Sequence, residues 1–343
     1  MSSTPSSILL LGAGELGTAI LTHLSSHPLL SKTHFTLALR PQTVSNPSSS
    51  SRLSSLRSLV PPPTHLSFAG LDLSAPDARE TLLRIIRASN AEVVISCTGF
   101  AGSGSDSGAQ LLIANAVLQS GGVVKRYFPW QFGVDYDVIG AEAAGGLMRE
   151  QCAVRALLRE RSAAAGVEWT VVSTGMFMSF VFEEWFGVVE GLGKGLKDGE
   201  RRKVGEKVTV RALGGWETGL TLTDVQDIGK VVAELVVRPL GEGERNDKGG
   251  NVVFTSGQTV TYKELADAVE RVLGEDTRVE REEWTLEYLR EELEKEPGDQ
   301  LRKYRVLFGA GEGVSWDEKE TINAKREIET VGVERWLRER LAI

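Results

Sequence analysis

The sequence predicts an α/β chain built on a doubly wound parallel sheet, with a smaller C-terminal substrate-binding region, on three observations. Residues 8 to 17 read Ile-Leu-Leu-Leu-Gly-Ala-Gly-Glu-Leu-Gly, an apolar strand entering three glycines spaced G-x-G-x-x-G. Strand-like and helix-like segments then alternate, as crossovers between parallel strands require. The length of 343 residues leaves room for more than one ordinary cofactor domain.

The first strand and its turn predict a dinucleotide site of the Rossmann type. Gly12 serves a turn that other residues strain to make, Gly14 lets the backbone approach a pyrophosphate, and Gly17 lets the next helix pack against the strand. The amides at the helix start, at Glu15 and Leu16, would bind the phosphates. An apolar stripe at Leu16, Ala19, Ile20 and Leu24 supplies the helix.

The second strand, Phe35 to Leu39, ends where NAD sites place an acid for the ribose hydroxyls, and Arg40 stands there instead. A guanidinium fork suits a 2′-phosphate, and no carboxylate is near in sequence to repel it, so NADP(H) is expected. The plainer alternative is a solvated strand-end charge. The serine-rich stretch Ser45 to Ser58, followed by Pro61 to Pro63, reads as a flexible loop. Arg52 within it could reach the cofactor phosphate or remain a mobile charge.

A third strand is expected near His65 to Ala69, a helix over Asp77 to Ser89, and a buried strand from Val93 to Cys97. That strand ends in Thr98, Gly99 and Phe100, which are expected beside the cofactor because the carboxyl ends of parallel strands line the ligand crevice. An ordinary glycine turn would read the same. Ala101 to Gly108 reads as a second flexible loop, Ala109 to Gln119 as a helix and Lys125 to Phe128 as the fifth strand.

That strand opens into Arg126-Tyr-Phe-Pro-Trp-Gln-Phe-Gly-Val-Asp-Tyr-Asp137. With the glycine turn, Arg40, the Gln110 helix, the strand Glu168 to Thr174 and Leu222-Thr-Asp-Val-Gln-Asp-Ile-Gly229, this run resembles the isoflavone reductase-like, or NmrA-like, branch of the atypical short-chain dehydrogenases, as a fungal-type member. In that family a Pro-Ser-Glu-Phe-Gly loop follows the strand; this chain has Pro129-Trp130-Gln131-Phe132-Gly133. The resemblance covers roughly residues 8 to 275, and it implies cofactor contacts from Gln131 and Phe132. It also implies a Rossmann domain over 1–175 and a substrate-binding region over 176–343, of which 222–260 returns to the sheet. Homodimerisation is an expectation of the resemblance alone.

Two departures stand out. Ala13 and Leu11 give the general dinucleotide pattern rather than the plant one. Matching the family's helix arginine to Arg155 places Gln151 at the catalytic lysine position, and an amide has no titration near neutral pH. Gln151 is therefore expected to orient a reactant or simply to line a pocket. No tyrosine is followed four residues later by lysine, and all four histidines lie within the first 65 residues. Tyr136, flanked by Asp135 and Asp137, is the remaining candidate proton donor, against the alternative of a surface tyrosine. No metal site is expected, since no His/Cys cluster has ligand spacing.

Gly175-Met-Phe-Met-Ser-Phe-Val-Phe-Glu-Glu-Trp-Phe186 is aromatic-rich. An aromatic stripe is more often core than pocket. With Trp130 and Phe132, however, it is expected to wall a site for a flat apolar molecule, naming Trp130, Asp135, Tyr136, Met176, Phe177 and Phe180 as substrate contacts. Charged helices over Thr285 to Glu294 and Glu318 to Glu329 read as solvated faces.

A net charge of −8 and pI near 5.3 leave no basic stripe for nucleic acid. Cys97 and Cys152 read as reduced core thiols, and no apolar run reaches about 18 residues, so a cytoplasmic chain with no membrane span is expected. Three functions follow: an NADPH-dependent reductase of an apolar, aromatic or polycyclic secondary metabolite; an NADP(H)-binding enzyme of cyclisation or rearrangement; or a dinucleotide-sensing regulator without turnover.

Overall fold

Ile8 to Leu11 are wholly buried on successive residues, the pattern of a strand covered on both faces. They form β1 (Ser7–Leu11), at the centre of a sheet of six parallel strands. A computed structural model gives the architecture of residues 4–99, 108–192, 207–245, 251–275 and 277–342. The chain divides into two compact units: Met1–Phe132, Arg149–Val172 and Ile228–Val253 make the first, and Gly133–Met148, Ser173–Asp227 and Phe254–Ile343 the second. In space the partition thus takes several pieces of chain rather than one cut near 175. Of the segment 222–260, residues 228–253 lie with the first unit.

Within the first unit, β1 leads through a glycine turn to α1 (Glu15–Ser25), then to β2 (His34–Leu39), α2 (Pro41–Ser45), α3 (Ser50–Ser58) and β3 (His65–Gly70). The chain next crosses to the other side of β1, building α4 (Ala78–Ala88), β4 (Val93–Ser96), α5 (Ala109–Leu118), β5 (Arg126–Phe128), α6 (Arg149–Ala165) and β6 (Glu168–Trp169). The strand order is β3-β2-β1-β4-β5-β6. It reverses between β1 and β4, where an open α/β sheet opens its ligand crevice.

The loop expected over Ser45 to Ser58 is instead helical. Pro41 stands in the first turn of α2, where its missing N–H costs nothing. Leu56 of α3 is buried, and Ser25 Oγ donates to the Leu59 carbonyl oxygen at 3.0 Å. Anchoring to the rest of the unit overrides the low helix propensity of five serines.

The helix Val225–Val237 returns to this unit from Ile228 onward. A Cβ on Gly229 would lie 2.8 Å from the Ala19 carbonyl oxygen, so glycine permits the close approach to α1. Arg126 Nη1 donates to the Val236 carbonyl oxygen.

The second unit holds two three-stranded sheets. One joins Met176–Phe177, Gly219–Thr223 and Gln258–Thr261; the other joins Val189–Glu190, Val208–Gly214 and Val279–Thr285. Helices Tyr262–Leu273, Leu286–Lys295, Gln300–Ala310 and Val333–Leu341 accompany them. The helix expected over Glu318 to Glu329 reduces to a 3-10 turn, Glu318–Glu320, and a single turn, Ile322–Lys325. Thr321 restarts the chain by accepting from Ala324 N–H, and buried Asn323 accepts from Thr255 Oγ1 and Ser256 N–H. Among the described residues, no helix is long and apolar enough to cross a membrane.

Candidate functional site

The glycine turn sits where β1 meets its two neighbours. Gly12 N–H donates to Ala38 O of β2 at 3.0 Å, and Cys97 N–H donates to Leu11 O at 2.8 Å. Gly12 has φ +95°, and a Cβ there would stand 3.0 Å from Cys97 O. At Gly17 a Cβ would lie 2.3 Å from Gly12 O, whereas at Gly14 it would meet nothing within 4 Å. Two glycines are thus required by the fold itself, and the third leaves space over the N-terminus of α1. No side chain caps α1 at Gly14, so the first-turn amides at Glu15 and Leu16 present their dipole to that space. This cradle fits a pyrophosphate.

Arg40 is exposed at the end of β2, where it is the N-cap of α2. Arg52, for which the sequence offers either a phosphate contact or a mobile charge, is held by α3 with Nη2 donating to the Ala13 carbonyl oxygen at 3.1 Å. Two guanidinium groups therefore belong to this end of the sheet. Although no carboxylate is near Arg40 in sequence, one is near in space, at Asp72 just beyond β3. Hydrogen bonds from Ser74 hold the Asp72 carboxyl below the ordinary range, and the Arg40 charge adds to them.

The end of β4 is organised by Gln110. Its Nε2 donates to Thr98 Oγ1 at 3.2 Å and to Gly99 O at 2.9 Å, while its Oε1 accepts from Ser96 Oγ at 3.3 Å. Trp130 lies against Gly99: a Cβ on that glycine would meet the indole Cζ2 at 3.7 Å. Phe100, expected beside the cofactor, lies outside the described residues. Cys97 is buried, and burial pushes its thiol up to about 12; Cys152, expected in the core, is only half-buried.

A buried polar group continues from β5 into α6. Gln131 is 1% exposed, and both ends of its amide are spent inside the protein: Nε2 donates to Gln151 O and Oε1 accepts from Arg155 Nε, each at 2.9 Å. Glu150 accepts from the Gln110 and Leu111 backbone N–H groups at 2.7 and 3.1 Å. It supplies the cap that Gly108 does not give α5. Gln151 is 1% exposed, and neither Nε2 nor Oε1 has a hydrogen-bond partner. Leaving such an amide unpaired costs about 1–3 kcal/mol per group, so a bound water or a ligand group is required to satisfy it.

In the second unit Tyr136 is buried, with its hydroxyl against the Gly133 backbone: a Cβ on Gly133 would meet it at 2.6 Å. Asp135 is a helix cap, accepting from Asp137 N–H at 3.1 Å. Met176 is buried and Phe177 half-buried. Phe180 joins an aromatic cluster, with ring centroids 4.8 Å from Trp185, 4.7 Å from Phe186 and 6.0 Å from Tyr304. Burial raises the Tyr304 phenol above its ordinary range, and Tyr136 contributes in the same direction.

The surroundings of Arg52, Glu150 and Tyr304 are fixed by contacts distant in sequence. The side-chain hydrogen bonds of Gln110 reach back to the end of β4 and leave no local pattern in the sequence.

The profile of the NmrA-like family matches residues 72–331. A curated relative, the NmrA-like family domain-containing oxidoreductase of Gibberella moniliformis, is 38% identical over 336 residues, covering 97% of this chain and 97% of its own. Phenylcoumaran benzylic ether reductase 1 of Arabidopsis thaliana is 31% identical over 183 residues, 52% of this chain and 51% of that protein. Among solved structures, the leucoanthocyanidin reductase–NADPH complex of Vitis vinifera superposes with a TM-score of 0.70 at 18% identity, covering 98% of this chain and all of that one. The Citrobacter triphenylmethane reductase complexed with NADP(H) gives 0.61 at 15% identity, covering 97% of this chain and all of that one. These two show the same fold. On the family match and the fungal relative together, the chain belongs to the NmrA-like family.

Proposed function

We propose that this protein is an NADP(H)-dependent oxidoreductase that reduces a small apolar substrate of aromatic or polycyclic character. The observation that carries the reading is the cradle at Gly12, Gly14 and Gly17, with Arg52 held against Ala13 and Arg40 exposed at the end of the neighbouring strand. The amides of Glu15 and Leu16 would hold the pyrophosphate, and Arg40 and Arg52 the 2′-phosphate. Thr98, Gly99, Phe100 and Phe132 are assigned to the rest of the cofactor, with Gln131 acting through Gln151 and Arg155. Bound NADPH supplies the hydride; the chain supplies orientation and exclusion of water. The aromatic wall of Met176, Phe177 and Phe180 is proposed for the substrate, and the buried Tyr136 phenol for proton transfer, with Asp135 fixing its turn. Trp130 offers an aromatic face beside Gly99. The fungal relative is described as an oxidoreductase, and two proteins of the same fold carry NADPH or NADP(H) in their structures.

Titration with NADPH and with NADH, read by nicotinamide fluorescence and confirmed by calorimetry, tests the cofactor assignment. Preference for NADPH is expected, and binding of neither would overturn the reading. Turnover is then tested by NADPH consumption with apolar carbonyl and enone compounds. A second reading, a cyclisation or rearrangement without net redox, is favoured by Gln151, which cannot give up a proton where the resemblance expects lysine. Product at an unchanged oxidation level would select it.

A further inference from the structure

We propose that Gln151 is a specificity-determining residue. Its carboxamide recognises a substrate edge carrying a hydrogen-bond donor and acceptor side by side, as in a cis-lactam fused to a flat aromatic ring. The inference rests on the proposed function and deepens it by naming a substrate class.

Both polar atoms of the Gln151 side chain are buried without a partner, whereas buried amides in a settled core are paired. The residue has no latitude to pair by shifting along its helix. Its own carbonyl oxygen is taken by Gln131 Nε2, and Gln131 is held in turn by Arg155 Nε. The neighbouring side chain, Glu150, is committed to the start of α5. What is left over is one N–H donor set and one acceptor oxygen on a single planar group. The group that satisfies both at once is another planar array with acceptor and donor adjacent, joined by two parallel hydrogen bonds. Because the amide does not titrate near neutrality, this is recognition rather than acid–base work. Trp130, one residue before Gln131, lies within van der Waals reach of a Cβ on Gly99 and supplies an aromatic surface in the same unit.

The test uses 2-quinolone, which presents N–H beside C=O, and N-methyl-2-quinolone, which lacks the donor. Binding of each is measured by calorimetry with and without NADPH. The native protein is expected to prefer 2-quinolone by about tenfold, the worth of one well-made hydrogen bond. Gln151→Met keeps the bulk and removes both polar atoms, and its preference should fall to within about twofold. Its melting midpoint should hold or rise, since an orphaned amide is gone. Gln151→Glu supplies a second arm independent of how well the Met variant folds. A protonated carboxyl again offers donor beside acceptor, so the preference should persist in acid. The ionised carboxylate still accepts from the lactam N–H but no longer donates to the carbonyl oxygen shared by both probes, so the preference should widen as pH rises.

No preference in the native protein, or an equal preference in Gln151→Met, would overturn the proposal. So would a clear drop in melting midpoint for Gln151→Met, which would mean that a trapped water satisfies the amide structurally. Failure of NADPH to bind would instead sink the cofactor assignment and leave the quinolone ratio readable.

Discussion

At Gly14 and Gly17 the same added methyl group meets opposite surroundings. The Gly17 Cβ would lie 2.3 Å from Gly12 O, so Gly17→Ala must push α1 off the turn, at a cost of about 1–3 kcal/mol. Gly14→Ala meets nothing within 4 Å at an ordinary negative φ. It should melt like the native protein while losing NADPH affinity, because its methyl enters the space proposed for the pyrophosphate. Equal loss of stability in both variants, followed by thermal melting, would remove the distinction between a packing glycine and a ligand glycine. Arg40→Ala carries a related expectation: NADPH weakens by about 2 kcal/mol while NADH barely changes, since only the former has a phosphate for the fork. Parallel titrations check it, and equal weakening of both would move the 2′-phosphate elsewhere. Single residues in a turn of fixed spacing were legible in the sequence, because there the backbone geometry is local. Arg52 was legible only as a charge, since its reach to Ala13 depends on a helix that serine composition conceals.

Among the elements, strands with continuous apolar runs declared themselves: β1, β2 and β4 fall within a residue or two of where the sequence puts them. Hydrophobic burial on both faces leaves such runs one place to go. The strand expected over Glu168 to Thr174 is two short pieces, Glu168–Trp169 and Val171–Ser173, divided where Thr170 N–H donates to Tyr127 O and Val171 N–H to Asn251 O. Helices that depend on a cap from afar were the least legible. The start of α5 has glycine at its N-cap, and the carboxylate that satisfies its first amides arrives from Glu150, forty residues later. Glu150→Ala should therefore cost about 1–3 kcal/mol, the penalty for leaving the buried Gln110 donor and the half-buried Leu111 donor without an acceptor. Because the same helix start carries Gln110, which holds Thr98 and Gly99, NADPH binding should weaken in the same variant. Urea unfolding beside cofactor titration would show it, and an unchanged unfolding midpoint would mean that water replaces the carboxylate at no cost.

On the scale of the whole chain, the strongest pH response lies on the alkaline side. Burial pushes the Cys97 thiol from 9.0 up to about 12. It also raises the phenols of Tyr127 and Tyr262 above their ordinary 10.0. A group whose folded pKa is raised contributes stability that is fully present below its unfolded pKa and is lost as pH climbs toward the folded value. Between about pH 9 and 12 the unfolded chain gives up protons that the native chain must keep, so the melting midpoint should hold to about pH 9 and then fall. Cys97 acts first, because its unfolded pKa is the lowest of the three, and Cys97→Ala should flatten the onset without touching the steeper tyrosine range. Cys97 and Tyr127 belong to the first unit and Tyr262 to the second, so each unit carries its own alkaline weakness. The net charge of −8 also grows more negative with pH and repels itself, but that contribution is screened by salt, whereas ionisation of a buried thiol or phenol is screened far less. Melting curves at low and high sodium chloride separate the two. A decline above pH 9 that survives salt is the expected result, and one that disappears with salt would assign the alkaline limit to surface repulsion instead of to the core.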